Sequence, residues 1–63
     1  MSEKSRQQEE RLSSMIDKMF PGLPQKGRLM ASIGNNGDFS ELAELSDSDL
    51  KEMVSMEKEY IGG

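Results

Sequence analysis

Apolar positions begin at Leu12 and recur at Met15, Ile16, Met19 and Phe20, the i, i+3, i+4, i+7, i+8 spacing of one helix face. The spacing predicts a helix over 2–20, opened by Ser2 as N-cap, with Glu3 near the positive helix end and Pro21 as the stop. Its first half, Glu3 to Glu10, contains no apolar residue. Residues 1–11 therefore read as a polar, solvated helical extension or as a frayed arm that orders on a partner. Pro21-Gly22-Leu23-Pro24 reads as a turn with Leu23 directed inward. Pro24 then opens a short helix through Ile33, with Leu29, Met30 and Ile33 on its inner side.

Gly34-Asn35-Asn36-Gly37 breaks the chain, since both residue types accept the positive φ of tight turns. Asp38 is expected to cap a third short helix over 39–45, with Phe39, Leu42, Ala43 and Leu45 inward. Ser46 and Asp49 have capping-box spacing and open a last helix, Asp47 to Tyr60, in which Leu50, Met53, Val54 and Ile61 share a face. No segment alternates, and none carries a β-branched run. The fold class is all-α: a small bundle of three or four short helices in a single domain spanning 1–63, the first and last helices antiparallel over the two short ones.

Size changes this picture. A chain of 63 residues has a thin core, and this one has no cysteine for a disulfide and no histidine for a metal or for acid–base work. Small scaffolds of this kind are commonly completed by a partner subunit. The bundle is accordingly expected to be completed by oligomerisation, as a homodimer or higher oligomer built on the first helix. Leu12, Met15, Ile16, Met19, Met53, Met56 and Tyr60 form the expected protein interface, methionine supplying adaptable contact area.

Charge divides the chain. Residues 1–20 sum to zero, 21–37 carry +2 from Lys26 and Arg28, and 38–63 carry −6. The acidic second half, with Glu41, Glu44, Glu52 and Glu57 as its expected acidic surface, argues against a phosphate backbone as partner. It also admits a nucleic-acid mimic, whose carboxylates would occupy a basic groove. Lys26 and Arg28, near the start of the second helix, could bind an anion such as a nucleotide phosphate if copies of the hinge converge in an oligomer.

The chain is expected to be no enzyme. Ser13 and Ser14 have no histidine to activate them, and the carboxylates fall at capping or solvent positions. Asn35-Asn36-Gly37-Asp38 and Asp47-x-Asp49 lack calcium-loop spacing, so neither a metal site nor a cofactor is expected. No apolar run approaches the roughly 18 residues of a membrane span, and the polar start is unlike a secretory signal. A cytoplasmic setting is expected.

Leu45-Ser46-Asp47-Ser48-Asp49-Leu50 with Gly62-Gly63 resembles the double-glycine leader of peptide precursors, in which a Leu-Ser-x-x-Glu-Leu element precedes the cleavage glycines. Here Asp49 replaces the glutamate, and residues 51–61 separate the element from the glycines, which the family keeps only a few residues away. The resemblance implies a leader that is a mostly unfolded monomer. Gly62-Gly63 is also similar to ubiquitin-like tails, whose fold would require alternating strands. Taken together, the residues favour a small acidic binding protein, a regulator or inhibitor of one larger protein, of bacterial or phage type.

Overall fold

The computed structural model describes residues 2–34 and 36–62. They form α1 (Glu3–Met19), α2 (Lys26–Ile33), a 3₁₀ turn (Ser40–Glu44) and α3 (Asp47–Gly62), with no strand among the described residues. The fold is all-α.

Each boundary has a local cause. The Ser2 hydroxyl accepts from the Ser5 N–H at 3.0 Å, so α1 starts where the capping residue predicts. It ends as the Phe20 N–H donates to the Ile16 carbonyl at 2.8 Å, just before Pro21. The second helix starts two positions later than Pro24: Lys26 donates back to Leu23 at 3.3 Å, which keeps Pro24 and Gln25 in a turn. Ser46 accepts from the Asp49 N–H at 3.2 Å and starts α3. This is half of the expected capping box; the return bond from Ser46 N–H to the Asp49 carboxylate does not form among the described residues.

The third expected helix is a 3₁₀ turn. Leu42 and Leu45 donate to the carbonyls three residues back, Phe39 and Leu42, each at 3.0 Å. Three residues per turn align Phe39, Leu42 and Leu45 on one side. Phe39 and Leu42 are buried and Leu45 half-buried, whereas Ala43, expected inward from an α-helical period, faces solvent.

The core draws on every element: Leu12 and Ile16 from α1, Leu29 from α2, Phe39 and Leu42 from the 3₁₀ segment, Leu50 and Val54 from α3. Met15, Met19, Met30, Ile33, Met53 and Ile61 close around it. The first and last helices, expected antiparallel over the two short ones, touch each other only to a limited extent. α1 lies mainly against the 3₁₀ turn and α2 mainly against α3, with direct α1–α3 contact sparser than either. The radius of gyration, 10.8 Å, matches the roughly 10.6 Å of a compact chain this long.

Residues 3–11 are helical and largely exposed, as a polar helical extension would be, but one side of them is docked on the rest of the chain. Ser5 is buried among them, and its hydroxyl accepts from the Phe39 N–H at 3.0 Å. Ser5, Leu12 and Met19 lie at heptad spacing, so the inward face continues into the polar half of α1 with hydrogen bonds in place of apolar contacts.

Gly34 is required for space, not for its dihedrals. A Cβ there would lie 2.6 Å from Cε1 and 2.8 Å from Cζ of the buried Phe39 ring. Gly27, within α2, has nothing within 4 Å of its would-be Cβ. Gly34→Ala should therefore destabilise the fold by about 1–3 kcal/mol. Gly27→Ala should stabilise it by about 0.5–1 kcal/mol through helix propensity alone. Urea melts of the two variants check this pair of opposite signs.

Candidate functional site

One side chain fastens the parts together. The Arg11 guanidinium donates from Nη1 to the Gln8 side chain at 3.0 Å and to the Leu42 carbonyl at 2.9 Å. From Nη2 it donates to the Leu45 carbonyl and to Asp47 Oδ1, both at 2.8 Å, and Nε adds a 3.3 Å bond to the same carboxylate oxygen. All five donors of the planar fork are used. The two carbonyls lie at the end of the 3₁₀ turn, and Asp47 is the first residue of α3. Arg11 thus sets the junction from which α3 departs. Sequence reading missed it because it tracked apolar periodicity; the available signal was that Ser5, Gln8 and Arg11 recur every third residue beside Leu12.

Two polar contacts fix α2. Lys26 Nζ lies 2.8 Å and 2.9 Å from the two carboxylate oxygens of Asp17 on α1, and the Ser32 hydroxyl donates to Glu57 on α3 at 2.8 Å. Lys58 stands over the Phe20 ring, 5.2 Å from its centroid, joining α3 to the end of α1.

The expected interface divides on this frame. Leu12 and Ile16 have no accessible surface, so they are core residues and not interface residues. They fall on the inner line of α1, where burial by this chain's own Leu29, Phe39 and Leu42 leaves nothing for a partner. Met15, Met19 and Met53 are half-buried against the core. Met15 and Met19 floor a shallow depression rimmed by Lys18 and Lys51. Met56 and Tyr60 alone among the expected interface residues stand out into solvent, 65 % and 85 % exposed.

The charged candidates divide too. Glu41, Glu44 and Glu52 are exposed, whereas Glu57 is half-buried and accepts from Ser32. Lys26 is already paired with Asp17, a contact that offsets its charge at the hinge. Arg28 is exposed, with no ion pair among the described residues. The two cations thus differ in their surroundings, Lys26 being held by Asp17 and Arg28 standing in solvent. Ser13 is half-buried and Ser14 exposed. Among the described residues no group of three or more carboxylates could hold a metal ion, and no buried side-chain polar atom lacks a hydrogen-bond partner. Asn35, named in one candidate metal loop, and Gly63, of the terminal glycine pair, lie outside the described residues. Leu45–Leu50 forms the end of the 3₁₀ segment and the capped first turn of α3. No helix among the described residues is long and apolar enough to cross a membrane.

No protein-family model, curated protein or solved structure matches this chain.

The titration of Asp38 is displaced. It accepts from the Ser40 backbone N–H at 3.0 Å, and that bond, helped by the Ser40 and Ser5 hydroxyls, holds its pKa below the ordinary 3.8. A lowered native pKa makes the ionised form stabilising above the unfolded value, and that contribution is lost as pH falls through the native value. Asp38→Asn should therefore be less stable than the parent at neutral pH. The gap should close only below the unfolded value of 3.8, where the parent's carboxyl protonates as well. Paired melts across acid pH check this; a gap that persists unchanged into strong acid would contradict it.

Proposed function

We propose that this chain is a small non-catalytic binding protein that regulates or inhibits one larger protein, with α3 as its recognition element. The observation that carries this reading is the pair Met56 and Tyr60, the large apolar side chains left exposed among the described residues, where the other large apolar side chains are buried or half-buried. Met53, Met56 and Tyr60 follow the i, i+3, i+7 pattern by which a helix enters an apolar groove. Methionine adapts to irregular contact surfaces and tyrosine is enriched among binding hot spots. The absence of histidine and cysteine from the chain agrees with a role in binding and not in turnover. A cytoplasmic setting in bacteria or their phages belongs to the same proposal and rests on size and acidity.

The test compares the parent with Met56→Ser/Tyr60→Ser. Both replacements are exposed, so stability should stay within about 0.5 kcal/mol and helicity should not change. Immobilised parent protein should retain one larger protein from the lysate of its source cells in near-equimolar amount, and the double variant should lose it. Equal retention by both forms would overturn the reading.

A further inference from the structure

We infer that the exposed face of α3 receives a basic amphipathic helix, an apolar stripe flanked by lysine or arginine, presented by the partner; this rests on α3 being the recognition element. At about 100° per residue, Asp49, Met56 and Tyr60 fall within ~40° of one another around the α3 axis, and Glu52 and Glu59 lie ~60–80° to one side. Asp49, Glu52, Met56, Glu59 and Tyr60 are all exposed. The two bases of α3 lie roughly opposite, about 160–180° away. Both are turned to other parts of the molecule: Lys51 rims the Met15–Met19 depression, and Lys58 covers the Phe20 ring.

The exposed face thus presents two apolar anchors beside carboxylates of one sign. Such a field selects the partner. An apolar stripe is needed to cover Met56 and Tyr60, and flanking cations are needed opposite Glu52 and Glu59. A two-fold pairing of this face with itself would set the same carboxylates against each other, since a two-fold interface uses one patch twice. Like charges so placed oppose association. The occupant is a basic helix of another protein and not a second copy of this chain.

Tyr60 supplies the readout, because the chain has one tyrosine and no tryptophan. The probe is a helix-period peptide of leucine and lysine only, titrated into the whole chain while tyrosine emission is followed. Emission should change saturably, and the apparent Kd should weaken about fivefold or more between roughly 0.05 M and 0.3 M salt. Glu52→Gln/Glu59→Gln should weaken binding about tenfold, whereas Glu41→Gln/Glu44→Gln, which removes the same charge from the 3₁₀ turn, should change it less than about twofold. Equal effects of the two pairs would show attraction to net charge alone and overturn the inference, as would failure of the leucine–lysine peptide to bind.

A leucine–glutamate peptide of the same pattern separates the two levels. Its binding in place of the basic peptide would overturn the basic partner while leaving α3 as the recognition face. That face is itself overturned only if Met56→Ser/Tyr60→Ser retains the cellular partner. A solution mass that rises with concentration, and that Lys18→Glu/Lys51→Glu abolishes, would overturn the inference in favour of a second copy docking in the Met15–Met19 depression.

Discussion

The Arg11 guanidinium sits on α1 where the end of the 3₁₀ turn meets the start of α3. Five bonds leave it: one to Gln8 on its own helix, two to the carbonyls that end the 3₁₀ turn, and two to the first carboxylate of α3. The carbonyls of a helix end lack partners within the helix, so they need donors from elsewhere. Arginine can serve them together because its donors diverge in one plane; lysine would bring a single point of charge. The side chain retains 26 % of its surface, so part of this network is shielded from water and part is screened by it. Its value lies in geometry more than in charge.

That geometry organises the rest of the molecule. With the 3₁₀ turn held against α1, Phe39 and Leu42 enter the core from one side while Leu50 and Val54 enter from α3. Gly34 admits the Phe39 ring, and Ser5 takes up the Phe39 N–H that the chain reversal would otherwise leave buried without a partner. With its inner line committed, α3 turns Met56 and Tyr60 outward. The exposed pair is a consequence of how α3 is seated, because Leu50, Val54 and Ile61 already fill the inward side of the helix.

The helices were legible where apolar spacing and a cap spoke together. Ser2, Leu12, Ile16 and Pro21 bracket α1, and Ser46, Leu50 and Val54 place α3. What spacing could not distinguish was a stripe that ends from a stripe that changes chemistry. Ser5 and Arg11 continue the inward face of α1 with hydrogen bonds, so the polar half read as a solvated extension although one side of it is docked. The same blindness placed Leu12 and Ile16 at an interface, because an apolar face looks alike whether its own chain or another covers it. A five-residue helix likewise gives too few positions to tell a period of 3.0 from one of 3.6, and Ala43 was assigned inward on that account. Of the candidate site, Met56 and Tyr60 survive as exposed residues; Glu57 and Lys26 do not act freely, because Ser32 and Asp17 engage them.

The most direct test of the account is the stability of Arg11→Lys by chemical denaturation, read together with amide hydrogen exchange over residues 39–50. Lysine keeps the charge and much of the aliphatic stem but cannot span the Leu42 and Leu45 carbonyls and Asp47 at once. The variant should lose about 2–4 kcal/mol, in keeping with hydrogen bonds to a charged donor. Exchange should accelerate first at the 3₁₀ turn and the opening of α3, ahead of the middle of α1. A variant within about 0.5 kcal/mol of the parent, the scatter of an ordinary surface substitution, with unchanged protection over those residues, would contradict the central role given to this side chain.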